Sequence, residues 1–219
     1  MEVDHIFICT QHGAPEAEVL KEFGLTEGSS NKHFGQGTAN RRFFFKNLFI
    51  ELLWLESSEE AISPITAPTR LYDRLTSKSV NISPFGICFR PKTLENKAPK
   101  FSNWNYKPLY LPNNLEVNVA KNTLLSEPMW FFLSFASRPD NAPQEKRQPL
   151  IHSSGLSEVT SIQVIIPNAN KNFTLSNKEQ LGILKINDGN EHRVEITFDH
   201  GKNNLTHDFR PTLPMVFIY

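Results

Sequence analysis

Short apolar segments separated by polar, turn-forming residues fill the first quarter of the chain, and their spacing predicts alternating strands with one helix. The predicted elements are a strand over Val3 to Cys9, a helix over 15–23, a short strand within 25–37, and strands over Thr38 to Phe45 and Leu48 to Leu55. Gly24 ends the helical stripe, and Lys46-Asn47 is the two-residue spacing of a hairpin. Residues 1–56 are therefore predicted to form a β-α-β-β-β unit.

The rest of the chain continues this pattern, with prolines and asparagines between the apolar runs. Residues 57–82 are interpreted as a linker with a short helix over Thr69 to Ser77, residues 137–158 as a surface loop, and 159–219 as a C-terminal β-rich extension. Strands are predicted over Phe85 to Arg90, Pro108 to Leu111, Leu115 to Ala120, Met129 to Ala136, Val159 to Ile166, Leu181 to Ile186, Val194 to Asp199 and Leu213 to Tyr219, with a short helix over Asn177 to Gln180.

A weak internal echo indicates two related units. The segment His5 to Cys9 aligns with Pro84 to Cys88, and Leu48 to Trp54 aligns with Met129 to Phe135. Both segments of the first pair open a series of strands, and both segments of the second pair close one. The echo predicts a second, degenerate unit over 83–136 that resembles the first.

Composition narrows the functional classes. Lys+Arg and Asp+Glu are equal at 23 each, so no net positive charge attracts nucleic acid or an anionic membrane. The longest apolar run, Leu48 to Leu55, is too short to span a bilayer, and the first residues have no signal-peptide pattern. Cys9 and Cys88 both lie in apolar strands, which disfavours a disulfide framework. We expect a cytoplasmic protein that contacts neither nucleic acid nor membrane.

Glu51 is the most informative polar residue, because it lies within an apolar strand. Side chains alternate between the faces of a strand, so Glu51 shares a face with Phe49 and, across the hairpin, with Arg42, Asn40 and Thr38. A carboxylate in such surroundings needs a partner. Three partners are open: Arg42 in a structural ion pair, which spacing alone favours; His5 on a neighbouring first strand; or a divalent metal ion held by His5 and Glu51 together.

Three segments carry a family resemblance. They are Asp4-His5-Ile6-Phe7-Ile8, then His33-Phe34-Gly35-Gln36-Gly37-Thr38-Ala39-Asn40-Arg41, and then Phe49-Ile50-Glu51-Leu52. Together they resemble the glyoxalase-like members of the vicinal oxygen chelate superfamily. The resemblance implies an α+β fold of paired βαβββ modules, whose curled mixed sheets surround a shared cavity. It also implies that any metal ion is held by the first and last strands of a module.

Carried onto this sequence, the resemblance assigns His5 and Glu51 as ligands of one divalent metal ion. Glu51 would also serve as a base, and Arg42 or Asn40 would orient an anionic oxygen. The implied ligand-binding residues are His33, Thr38, Asn40, Arg42, Phe44, Phe49 and Trp130, with Trp104 and Tyr110 as further candidate walls. The second module departs from the pattern, since Pro84 or Gly86 and Phe132 or Ser134 stand at its ligand positions.

Two functional hypotheses follow, and both take a small molecule as partner. In the first, a metal ion chelates two neighbouring substrate oxygens and stabilises an enediolate or related anion, as in a lyase, isomerase or dioxygenase. In the second, the same fold binds or sequesters a small molecule without metal or catalysis, and Arg42 contacts Glu51. A C-terminal part that serves a protein partner, and a homodimeric assembly, are further open alternatives.

Overall fold

Two β-sheets and a few short helices make up the computed structural model, which describes residues 1–93, 97–167, 174 and 181–219. The helices are α1 (Ala17–Glu22), α2 (Ser58–Ala61) and α3 (Leu71–Thr76). The first sheet contains β1 (Glu2–Cys9), β2 (Asn31–His33), β3 (Thr38–Phe44), β4 (Phe49–Leu55), β5 (Phe85–Arg90), β6 (Asn103–Tyr106), β7 (Val117–Ala120) and β8 (Met129–Phe132). The second contains β9 (Val159–Pro167), β10 (Leu184–Gly189), β11 (Arg193–Phe198), β12 (Thr206–Asp208) and β13 (Met215–Ile218).

The first sheet is strongly curled, with the strand order β2-β3-β4-β1-β5-β8-β7-β6. The strands β1 and β5 run antiparallel at its centre, β4 lies parallel to β1, and β8 lies parallel to β5. The segments of the internal echo therefore occupy corresponding places in the two halves of one continuous sheet. The expected α+β class with a curled mixed sheet is confirmed.

The C-terminal residues form a separate sheet, with the order β10-β9-β11-β13-β12, and add no strand to the first. Fully buried side chains from both sheets, such as Ile50 and Trp130 from the first and Ile196 and Phe217 from the second, belong to one hydrophobic core. This second sheet covers the convex face of the first. In the first half a helix, α1, follows β1, but the described residues between β5 and β6 in the second half contain no helix.

The observed elements correct several predictions. The predicted strand over Pro108 to Leu111 is wrong, because these residues form a turn, and the strand lies earlier, at Asn103–Tyr106. Pro108 has no N–H to donate to a neighbouring strand, and the side chains of Tyr110 and Leu111 line the cavity on the concave face. The helix α2 was not predicted, and the predicted helix over Asn177 to Gln180 lies outside the described residues.

The helices of the described ranges are all short. None of them has the length and apolar character that a bilayer-spanning helix requires.

The imidazole of His192 packs near Phe85, with a ring-centroid separation of 6.5 Å. Within the described part of the chain neither ring nitrogen has a hydrogen-bond partner, and burial lowers the pKa of His192 from 6.5 to about 4. The unfolded chain therefore binds a proton at a higher pH than the folded one, so stability is lost as the pH falls from about 6.5 towards 4.

Replacing His192 with phenylalanine is expected to remove part of this acid sensitivity. Because His192 is only partly buried and solvent screens part of the effect, urea unfolding at pH 7 and pH 5 should show a loss of about 1 kcal/mol in the wild type that shrinks in His192→Phe. His200→Asn, an exposed position, is the matched control and should retain the wild-type difference. An unchanged pH dependence in His192→Phe would contradict the assignment.

Candidate functional site

The concave face of the curled sheet encloses a cavity of about 260 Å³. Its charged, imidazole and amide side chains, as far as the chain is described, come from β1 to β4 and the β2–β3 turn: His5, Asn31, His33, Gln36, Asn40, Arg42 and Glu51. From residue 57 onwards the lining is apolar or aromatic, and includes Leu71, Tyr106, Val117, Met129, Phe131 and Leu133. The cavity therefore has a polar half and an apolar half, which correspond to the two halves of the sheet.

The hairpin β3–β4 places Glu51 in this cavity. Arg42 pairs with Glu51 and Asn40 with Leu53, and the Phe45 N–H donates to the Leu48 carbonyl at 2.8 Å, so the register predicted from the two-residue loop is confirmed. Because alternate side chains face opposite sides, Ile50 and Leu52 enter the core between the sheets while Glu51 faces the cavity.

A β-bulge in β1 positions His5 beside Glu51. Val3 pairs with Phe89 and His5 with Cys88, which leaves Asp4 as an extra residue. The bulge directs Val3 into the core between the sheets and His5 into the cavity, although the two residues are an even number of positions apart. The His5 ring stacks on Phe49, with centroids 4.3 Å apart. The His5 Nε2 lies 3.4 Å from the Glu51 Oε2.

Hydrogen bonds fix the orientation of both groups. The His5 Nδ1 lies 2.7 Å from Asp4 Oδ2, and the Arg90 guanidinium donates to the other Asp4 oxygen at 3.1 Å. Since Asp4 is an acceptor, this contact places a proton on Nδ1, and in the neutral form of the ring Nε2 carries a lone pair. The Asn40 amide donates to Glu51 Oε1 at 2.5 Å. In the neutral form of His5, the acceptors Nε2 and Glu51 Oε2 face each other and need a proton or a metal ion between them.

The spacing of these acceptors fits a shared metal ion. Two ligand atoms at ordinary zinc distances, in a tetrahedral arrangement, lie about 3.4 Å apart, and His5 Nε2 and Glu51 Oε2 are 3.4 Å apart. Imidazole and carboxylate are suitable donors for several divalent ions. The Asp4 carboxylate behind His5 supplies the hydrogen bond that commonly orients a metal-binding histidine.

The opposite side of the His5 ring offers a second group that could hold a metal ion. Ligand atoms of Asp4, His5 and Cys88 lie within 4.8 Å of one another, and all three residues are buried. However, the Nδ1 of His5 is occupied by Asp4, the Arg90 charge neutralises Asp4, and burial raises the pKa of the Cys88 thiol well above its usual value. The Nε2 side, which opens into the cavity, is the better placed.

The predicted residues His33 and Thr38 lie beside this centre. The His33 Nδ1 is 2.9 Å from the Thr38 hydroxyl, and its Nε2 is 3.5 Å from the Asn40 amide nitrogen. Tyr110 stacks against the imidazole with centroids 4.8 Å apart, and burial lowers the pKa of His33. His33 and Asn40 line the cavity, whereas Thr38 lies behind His33 and holds its ring.

Arg42 faces the cavity but forms no ion pair with Glu51 at 4 Å or less, so the contact expected of a metal-free binding module is not formed. Its Nε and Nη2 donate to the backbone carbonyl and hydroxyl of Ser29, each at 2.8 Å. The guanidinium carbon lies 5.1 Å from the ring centroid of Phe44 and 5.8 Å from that of Phe49. Arg42 is therefore positioned by Ser29 and two aromatic rings.

Several candidates lie away from the cavity. The prediction that Trp130 binds ligand is wrong, because its side chain is fully buried between the sheets and its indole N–H donates to Glu127 Oε2 at 3.1 Å. Phe44 is buried behind Arg42 and Phe49 and does not line the cavity, whereas Phe49 does. His152 accepts a hydrogen bond from the Thr26 N–H at 3.0 Å and contacts the Phe44 carbonyl, so it holds a loop.

Sequence reasoning did not find Asp4, Arg90 or Phe131. Asp4 precedes His5 directly, and an unbulged strand would place these two side chains on opposite faces. Phe131 packs edge-on against His5 at 5.4 Å, whereas the echo had aligned Glu51 with Phe132, which lies in the core between the sheets. The sequence did offer one signal for Asp4, which is an acidic residue directly before the candidate metal ligand His5.

Comparisons with known proteins bear on the fold alone. No protein-family model and no curated protein matches the sequence. Among solved structures, the chain is similar to a hypothetical protein from Staphylococcus aureus, with a TM-score of 0.54 and 12% sequence identity. The match covers 99% of this chain and 97% of the other, so the likeness extends over both sheets.

Proposed function

We propose that the protein is a metal-assisted, glyoxalase-like enzyme that acts on a small molecule with two neighbouring oxygens. The observation that carries the proposal is the approach of His5 Nε2 and Glu51 Oε2 to 3.4 Å at the polar end of the cavity. Such an arrangement is stabilised by a cation between the two atoms. A lyase, isomerase or dioxygenase reaction is compatible with this site.

Each residue of the proposed site has a separate role. His5 and Glu51 would hold one divalent ion, which supplies Lewis-acid polarisation of substrate oxygens when bound. Asp4 orients the imidazole, and Asn40 orients the carboxylate through its 2.5 Å hydrogen bond. Arg42 would orient an anionic oxygen of the substrate. With two protein ligands, the remaining coordination positions are left to substrate oxygens or solvent.

The same proposal interprets the first sheet as two βαβββ-type modules, of which the second is degenerate. Its support is the repeated strand order on either side of the β1–β5 pair. In the second half of the sheet, Met129 and Phe131 line the cavity, and neither is a metal ligand comparable to His5 or Glu51. The centre would therefore lie in the first half alone.

A metal-free binding module of the same fold is the second candidate. The apolar half of the cavity favours it, because Leu71, Val117, Met129 and Leu133 can enclose the apolar part of a ligand without any chemistry. In that case a proton rather than a metal ion would lie between His5 and Glu51. Metal binding separates the two candidates.

An equilibrium titration of chelator-treated full-length protein with Zn²⁺ and Mn²⁺ tests the proposal. We expect one bound divalent ion per chain, lost in His5→Ala and retained in Cys88→Ser, which removes the thiol on the other side of the ring. Absence of stoichiometric binding for both ions would favour the metal-free module. Loss of the ion in Cys88→Ser would move the centre to the Asp4–Cys88 side.

A further inference from the structure

The distribution of polarity in the cavity restricts the ligand more than the metal site does. All the charged and amide side chains that line it belong to residues 5–51, and the described lining residues from 57 onwards are apolar or aromatic. Pocket halves of such different character match a ligand with one polar end and one apolar end. A small, uniformly polar molecule would leave the apolar half without a partner.

Arg42 indicates the charge that the polar end of the ligand carries. Two of its three guanidinium nitrogens are bound to Ser29, while Nη1 has no hydrogen-bond acceptor among the described residues. The half-buried guanidinium lies against Phe44 and Phe49 and has no acidic partner within ion-pair distance in the described ranges. A cation that lines a cavity with a free donor favours an anion on the ligand.

The other charged groups near the proposed metal site also favour an anionic ligand. The two other ionised groups nearest to the centre, Asp4 and Glu51, are held by Arg90 and Asn40 respectively. A divalent ion beside Glu51 would add further positive charge to the cavity, which already contains Arg42. An anionic ligand would offset that excess, whereas a cationic one would be repelled.

We propose that the ligand is an amphipathic carboxylate: its carboxylate binds the free donor of Arg42, a neighbouring oxygen lies at His5 and Glu51, and an apolar chain or ring occupies the half lined by Leu71, Val117 and Met129. This inference rests on the proposed function for the position of the second oxygen. It adds the ligand's charge and its division into a polar head and an apolar tail.

Calorimetry with four probes tests the inference on full-length protein with and without Mn²⁺. The probes are 2-oxooctanoate, its uncharged methyl ester, pyruvate, which lacks the tail, and hexyl phosphate, which carries a different anion. We expect 2-oxooctanoate to bind about tenfold or more tightly than its ester, and about a hundredfold more tightly than pyruvate. Hexyl phosphate should bind more weakly than 2-oxooctanoate.

The variant Arg42→Gln should abolish the preference for the acid over the ester. The matched control is Arg41→Gln, the adjacent arginine, which pairs with Glu27 and Glu18 instead of lining the cavity. Equal binding of acid and ester by the wild type, or tighter binding of pyruvate or of hexyl phosphate, would overturn the inference. If the protein binds metal but does not prefer the acid over the ester, the inference fails and the proposed function stands. If it prefers the acid in an Arg42-dependent way but binds no metal, the inference is supported and the proposed function fails.

Discussion

Glu51→Gln is expected to lower the affinity for divalent metal at least about a hundredfold, the largest functional effect that the structure predicts. The substitution keeps the size of the side chain and removes its charge, so the proposed site would lose its anionic protein ligand. Changes to groups that merely orient a ligand typically cost 10- to 100-fold in affinity, and removal of the ligand itself should cost more.

The matched control is Glu56→Gln, just beyond the same strand. Glu56 bonds to Lys32 at 2.6 Å and to Trp54 at 2.9 Å on the surface, away from the cavity lining. Metal titration and thermal unfolding of both variants separate metal loss from misfolding. Retained metal affinity in a folded Glu51→Gln protein would contradict the assignment of Glu51 as a ligand.

Arg90→Met is expected to cause the largest loss of stability, about 3–5 kcal/mol. Arg90 is 1% exposed, and it donates to Asp4 at 3.1 Å, to Glu2 at 2.9 Å and to the Asn47 carbonyl at 2.6 Å. Without the guanidinium, the buried Asp4 carboxylate loses its charged partner and the hairpin loop loses a donor. An unpaired buried charge is far more costly than a lost surface contact.

Urea unfolding of Arg90→Met measures this loss. Arg138→Met is the matched control, because Arg138 forms a partly exposed ion pair with Asp140 at 2.8 Å, and such pairs contribute about 0–1 kcal/mol. We expect the control to unfold near the wild-type midpoint. Equal midpoints for the two variants would show that the Arg90 network does not hold β1, β5 and the hairpin loop together.

The alternation of side chains along the β3–β4 hairpin made the surroundings of Glu51 predictable from sequence. A two-residue loop fixes the pairing of Arg42 with Glu51, and a strand period of two then fixes which side chains share a face. The same reasoning placed Phe49 and Asn40 beside Glu51. These inferences depend on neighbours in sequence and on one local turn, so no knowledge of distant contacts was needed.

Irregular backbone and long-range packing account for what the sequence did not reveal. The bulge at Asp4 depends on pairing with β5, about eighty residues away, and it changes the face of every residue before it. Trp130 was assigned to the cavity because an aromatic residue suits either face of a buried strand. Arg42 was predicted to pair with Glu51, but the Ser29 backbone offers closer acceptors.

The central claim is that a cation belongs between His5 Nε2 and Glu51 Oε2, and nuclear magnetic resonance of ¹⁵N-labelled protein loaded with ¹¹³Cd²⁺ tests it most directly. We predict a scalar coupling between the metal and the Nε2 of His5 that is retained in Cys88→Ser. Coupling through Nδ1, or the absence of any histidine-bound cadmium at saturating metal, would contradict the claim.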